Sequence, residues 1–207
     1  MKNPTQITPQ RPGFWSGALF GAIAGISSLL TYQYLSGILK QPRLTPWTIL
    51  SQPEEFITQE ALALFIATEN LRAGIQTRRL KNGKYKEVLH AGYRNFRESW
   101  ARDFGFASFG LLVLEQYDVV KQTLESFLVY QTPTGQLPVK LHSIDFVTRY
   151  FHSFLEREQS TEGVLRAKYI SGHGAPSMDG QAILVISALN YARQTKDVDF
   201  LKKYWAS

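Results

Sequence analysis

The sequence predicts an all-α fold: an incomplete toroid of helical hairpins with one small β-hairpin, preceded by a single transmembrane helix. Three observations predict it. Phe104 to Leu114 and Ala182 to Ala192 are uncharged, almost wholly apolar runs of helical length, as expected of helices buried on every side. Each is followed by a more polar, amphipathic segment, so inner and outer helices alternate. A third uncharged run, between Arg11 and Lys40, stands apart at the N-terminus.

That third run sets the domain organisation: a tail at 1–12, a transmembrane anchor at 13–39, a Pro-containing linker at 40–53 and a helical domain at 54–207. Its roughly 27 residues would form a helix of about 40 Å, longer than a hydrocarbon core of about 30 Å. Phe14 and Trp15 at one end and Tyr32 and Tyr34 towards the other suit the two interfaces. A cleaved signal peptide competes with the anchor, because Lys2 and Arg11 precede the apolar stretch, but no clear small-x-small cleavage site follows Leu30. Basic residues flank both ends, so the side on which the domain lies stays open. Gly13, Gly17, Gly21 and Gly25 recur every fourth residue, one face on which a second copy can approach closely, and a homo-oligomer through them is one reading. The prolines at 42, 46 and 53 make the following stretch a linker.

Within the domain, Leu62, Phe65, Ile66 and Leu71 follow helical spacing from Ile57 to about Ile75, with Thr58 and Glu60 available to the first turn. Asn82-Gly83 between short flanks is a tight-turn signature and predicts the β-hairpin over Arg78 to Leu89. Its Arg78, Arg79, Lys81, Lys84 and Lys86 are read first as charges that keep an exposed ribbon soluble, with anionic headgroups as a second reading; no nucleic-acid partner is assigned. After the first buried helix, Asp118 is expected to cap a helix carrying Val119, Val120, Thr123, Leu124, Phe127 and Leu128. Thr132 to Pro138 is a loop. Ile144, Val147, Phe151, Phe154 and Leu155 mark a further helix, Gln159 to Gly174 is mostly loop, and Asp197 begins a last helix through Trp205.

Composition bounds the chemistry. The 207 residues, 44% hydrophobic and 13% aromatic, suffice for a real core. A formal charge of +6 permits anionic partners without selecting one. The absence of cysteine excludes disulfides and thiolate metal sites, and the four histidines lack metal-ligand spacing, so neither metal nor cofactor is expected.

Charge beside a buried helix is costly unless capped, paired or used, which singles out Trp100-Ala101-Arg102-Asp103 at the start of the first apolar run. In a ring the inner helices run parallel and their N-termini meet on one rim, which places Asp103 and Asp179 together. The tetrapeptide resembles the Trp-x-Arg-Asp segment of glucoamylases and glycogen-debranching glucosidases, and Arg102-Asp103-Phe104 also resembles neutral invertases. Gly174-Ala175-Pro176-Ser177-Met178-Asp179-Gly180-Gln181-Ala182 is similar to the Gly-x-Pro-x-x-Asp-Gly-x-Ala segment of glucoamylases. Thr195-Lys196-Asp197-Val198-Asp199-Phe200-Leu201, with Tyr204-Trp205, resembles the helix that follows it. Together these resemble the six-hairpin glycosidase superfamily over roughly Tyr93 to Trp205.

The resemblance implies an (α/α)6 toroid, present here in part, and a glycoside hydrolase acting on α-linked gluco-oligosaccharides. It implies that Arg102 and Asp103 hold the terminal sugar by charge-assisted hydrogen bonds, with Trp100, His173 and Asp179 as further candidate contacts. Glycoside hydrolysis needs two carboxyl groups flanking the bond. In the glucoamylase pattern the acid follows the helix matching Phe200 to Trp205 and the base lies later still, so no catalytic residue is assigned. Glu98, Asp145, Glu156 and Glu158 have no spacing that recommends them as substitutes. Two readings follow: the N-terminal part of a membrane-anchored glycosidase, inactive by itself, or a complete non-catalytic tethered module that binds glycan or a partner helix.

Overall fold

In the computed structural model, residues 14–43, 58–92, 96–171, 174 and 177–205 are described. They fall into two compact units, Met1–Pro42 and Arg43–Ser207.

The first unit contains α1 (Phe14–Leu39). A helix thus forms where the anchor is expected, but among the described residues no helix is long and apolar enough to cross a membrane. The single-pass anchor, and the membrane localisation drawn from it, are corrected accordingly. The part of α1 whose side chains are described carries Ser27, Ser28, Thr31, Gln33 and Ser36, whose polar groups dilute its apolar content. Two of these hydroxyls bond back to the helix, Thr31 to the Ser27 carbonyl at 2.8 Å and Ser36 to the Gln33 carbonyl at 2.9 Å. Gly17, Gly21 and Gly25 lie within α1, while Gly13 lies outside the described residues.

The second unit is not all-α, which corrects the predicted fold class. Among the described residues six helices, α2 (Gln59–Gly74), α3 (Ala101–Val113), α4 (Tyr117–Val129), α5 (Phe146–Phe154), α6 (Met178–Thr195) and α7 (Val198–Trp205), accompany two small antiparallel sheets. The first is the expected hairpin, β1 (Ile75–Arg79) paired with β2 (Tyr85–Leu89). Gly83 takes φ +79° in its turn, and Asn82 Oδ1 accepts from the Lys84 amide at 3.1 Å. The second sheet places β4 (Lys140–His142) between β3 (Ser99–Trp100) and β5 (Arg166–Lys168). Strands of two or three residues are too short to print an alternation into the sequence, so this sheet lay within stretches read as helix start and loop.

Helix starts follow side-chain chemistry. Thr58 caps α2 by accepting from the Ala61 amide at 3.2 Å, and Asp145 caps α5 by accepting from the Thr148 amide at 2.8 Å. Asp118 is not the cap of α4: that position is Gln116, and Asp118 sits in the first turn. The tight α3–α4 connection uses Glu115 at φ +57°. Asp197 does start α7, accepting from the Phe200 amide at 3.0 Å.

The core lies where α3, α4 and α6 meet the hairpin. Phe104 and Phe127 stack at 6.2 Å, both about 1% exposed, and Val88, Leu111, Val120, Leu124 and Leu184 close around them. Burying each such side chain contributes about 1.5–3 kcal/mol. The expectation that α3 and α6 are buried on every side is corrected, because Phe106 is 65% exposed and Val185 47%. On α5 the expected inward stripe is partly reversed: Val147 and Phe154 are exposed, while His152 is buried.

α3 and α6 run parallel. Gly180 packs beside Ala101, Gly105 beside Ile183, Ser108 beside Ser187 and Leu112 beside Gln194, in one continuous register. Gly105 is the closest approach, since a Cβ there would fall 2.9 Å from the Ile183 Cβ. Gly105→Ala gains helix propensity of about 1 kcal/mol but forces the helices apart at a cost of about 1–3 kcal/mol. Urea unfolding is expected to show net destabilisation, recovered in part by adding Ile183→Ala; an equally stable or stabilised single variant contradicts the close packing.

Candidate functional site

The residues singled out in Trp100-Ala101-Arg102-Asp103 are carried in three directions. Trp100 is the last residue of β3 and the N-cap position of α3, with extended backbone at φ −99°, ψ 134°. Ala101 is buried beside Gly180. Arg102 turns to the start of α6 and ion-pairs with Asp179, not with the neighbouring Asp103. Ser177 donates to Asp179 Oδ1 at 2.6 Å, and the Gly180 amide donates to the same oxygen at 2.8 Å. The Ser177 hydroxyl foremost, with the Gly180 amide and the Arg102 guanidinium, holds the Asp179 carboxyl below its ordinary range. Asp179 is therefore an anion at neutral pH and no source of protons. Arg102 and Asp179 remain well exposed.

Asp103 faces elsewhere. It lines a cleft of about 390 Å³ with Asn70, Leu71, Gly74, His90 and Ala107. Thus the parallel start of α3 and α6 unites Arg102 with Asp179, whereas Asp103 opens toward α2 and the hairpin. His173 lies outside the described residues.

Trp100 borders a third surface, a cleft of about 420 Å³ whose lining includes Lys140, His142, Asp145, Phe146 and Arg149. The Lys140 ammonium stands 4.8 Å from the Trp100 ring centroid, and Arg149 lies 5.3 Å from that of Phe146. Both cations converge on Glu98, which is 1% exposed: Lys140 Nζ at 2.6 Å and Arg149 at 3.3 Å. Burial pulls the Lys140 ammonium below its ordinary range, with Glu98 acting against that shift. Glu98 is thus a structural anion that ties β3 to β4 and α5, and it has no free oxygen directed to chemistry.

Sequence reasoning also missed the buried Arg78. Rather than a solubilising charge, it is wholly inaccessible, placing its guanidinium 2.9 Å from His90 Nε2 and 2.6 Å from Ser143 Oγ. A period of two from Leu80 places position 78 on the inward face of the hairpin, a signal masked by its four basic neighbours. Since a guanidinium only donates, His90 accepts at Nε2 and carries its proton on Nδ1, which is buried without a partner. Burial, followed by the charges of Arg78 and Arg97, pulls His90 down to about 2.

Among the described residues, no group of three or more His, Cys, Asp or Glu side chains is arranged to hold a metal ion. The arrangement offers exposed, mutually oriented donors and acceptors at Arg102, Asp179 and Ser177. That set suits hydrogen bonding to a neutral polyhydroxyl ligand.

His142 and His152, like His90, are shifted downward by burial. The unfolded chain therefore binds more protons than the folded one once pH falls below about 6.5, and stability falls as pH falls. The contribution is complete above that pH and for His90 is lost progressively down to about 2. Chemical denaturation is expected to show a loss of about 1 kcal/mol or more between pH 6.5 and pH 5. His90→Gln is expected to flatten the slope; an unchanged slope overturns the assignment to His90. A scan of protein-family models gives no match to the chain, and a search of curated proteins gives none either, so any functional reading rests on these residues and their geometry.

Proposed function

We propose that the chain binds an α-linked gluco-oligosaccharide where α3 and α6 begin, as the sugar-holding part of a glycoside hydrolase of the six-hairpin type. The observation that carries the reading is the meeting of Arg102 with Asp179. Each belongs to a separate segment resembling glucoamylases, and the two come together only through the parallel packing of their helices. An Arg–Asp pair anchored by Ser177 offers both donors and acceptors to vicinal hydroxyls. Trp100 precedes the pair in sequence but borders the separate cleft with Lys140 and Arg149, so the corner itself consists of Arg102, Asp179 and Ser177.

Binding does not by itself supply chemistry. Asp179 is held ionised and engaged by Arg102, and Glu98 is buried between two cations, so neither carboxyl is placed to protonate a leaving group. Acid and base are assigned to no described residue. Non-catalytic glycan binding makes the same use of the Arg102–Asp179 corner and differs only in the absence of turnover.

Titration calorimetry of the purified chain with maltooligosaccharides is expected to give a dissociation constant in the range of about 0.1–1 mM. Arg102→Ala and Asp179→Asn are each expected to weaken it by at least about tenfold, with Lys84→Ala on the hairpin as an unaffected control. No glucose is expected to be released. Absence of binding, or binding indifferent to both substitutions, overturns the reading; glucose release overturns its catalytic part.

A further inference from the structure

The middle strand of the second sheet sets a lysine against a lysine. Its register pairs Lys140 with Trp100 on one side and with Lys168 on the other, so these side chains share one face of the sheet. Leu141 turns to the opposite face and is fully buried. Like charges directly opposite each other destabilise a sheet. Lys140 is also only 9% exposed, which adds the cost of burying its charge.

α5 adds a second wall. Phe146 and Arg149 stand one helical turn apart, the guanidinium 5.3 Å from the ring centroid, and Phe146 is 71% exposed. With Trp100, Lys140 and Lys168 they line the cleft of about 420 Å³, a size within the range of about 300–1,000 Å³ typical of small-molecule sites. The lining includes neither Arg102 nor Asp179, so this cleft is separate from that corner.

Its charges do not cancel. Glu98 has both oxygens committed, Oε2 to Lys140 at 2.6 Å and Oε1 to Arg149 at 3.3 Å. Asp145, the carboxylate on the lining, accepts from the Thr148 amide and hydroxyl, each at 2.8 Å. Lys168 has no ion-pair partner among the described residues, and Arg166 shares its face of β5. Burial first, and then the like charges of Arg149 and Lys168, pull the Lys140 ammonium down against the opposing effect of Glu98. The cleft therefore presents cationic N–H donors and no uncommitted carboxylate oxygen, an arrangement that an entering anion relieves.

The chemistry narrows the anion. A phosphate monoester has three strong acceptor oxygens, enough to meet Lys140, Arg149 and Lys168 together, whereas a carboxylate has two. The exposed Phe146 ring beside them offers a flat apolar surface to an aromatic body. We infer that this cleft binds a small aromatic phosphate monoester of the nucleoside monophosphate kind, its phosphate among Lys140, Arg149 and Lys168 and its ring against Phe146.

Titration calorimetry of the full chain with adenosine monophosphate is the test, with circular dichroism to establish folding of each variant. A dissociation constant between about 10 µM and about 1 mM is expected. Inorganic phosphate is expected to displace the nucleotide, and adenosine, which lacks the phosphate, to bind at least about tenfold more weakly. Lys168→Glu is expected to weaken nucleotide binding by at least about tenfold, and Lys84→Glu on the hairpin, an equal change of charge, to leave it unchanged. Phe146→Ala is expected to weaken the nucleotide by at least about threefold and to leave inorganic phosphate unaffected. Absence of nucleotide binding overturns the inference. So does adenosine binding as tightly as the nucleotide, failure of phosphate to compete, indifference to Lys168→Glu or Phe146→Ala, or equal weakening by Lys84→Glu.

Discussion

The close approach of α3 to α6 is the constraint on which the remainder of the second unit depends. Gly105 leaves no room for a side chain against Ile183, and Ser108 and Ser187 meet with their oxygens 2.9 Å apart. Both hydroxyls also lie within reach of the Gly105 carbonyl, at 2.7 and 3.2 Å. Small residues allow the approach, and the hydroxyl pair satisfies polar atoms that it would otherwise strand. Gln194 ties the other end by donating to the Leu112 carbonyl at 3.1 Å. Fixed in this register, the two N-termini lie side by side, and the Arg102–Asp179 pair follows from backbone packing rather than from attraction between two exposed charges, which by itself contributes little.

A second set of interactions joins the sheets to this frame, and it is polar where a core is usually apolar. Arg78 reaches from the hairpin to Ser143 beyond β4, Glu98 gathers Lys140 and Arg149, and Arg97 pairs with Glu158 at 2.9 Å. Such networks are costly to desolvate and costly to break, since removing one member strands another. They also carry direction that an apolar contact lacks. The second sheet, with strands of two and three residues, has too few ladder bonds to hold itself, so charged anchors to neighbouring elements fix its place.

Much of the helical order was legible in the chain. Thr58, Gly83 and Asp197 each signal a cap or turn by local chemistry, and each performs it. The α4 stripe was readable because Val119, Val120, Thr123, Leu124 and Phe127 repeat over more than two turns and are all buried. What could not be read depends on partners distant in sequence. Arg78, Glu98 and Lys140 look like surface charges until β4 and α5 are placed against them. The three-residue strands are paired by tertiary context and carry no period. α5 shows the reverse error: periodicity identifies a helix but not which face is inward, and there His152 rather than Phe154 is buried. α1 shows that an uncharged run predicts a helix more securely than it predicts a membrane span.

The candidate site carries the same lesson at the scale of four residues. A helix turns each successive side chain through about 100°, so adjacent residues in the first turn of α3 cannot share one target. Ala101 goes to the buried seam beside Gly180, Arg102 to the exposed Asp179 carboxylate and Asp103 to the cleft beside His90, while Trp100, still in a strand, borders the cleft over Lys140. A contiguous motif at a helix start is thus a set of divergent contacts, and it becomes a site only where another element meets one of them. Here that element is α6, through Asp179. Arg102 and Asp179 thus meet at a junction of two segments that only the fold brings together, and Asp103 stands outside that junction.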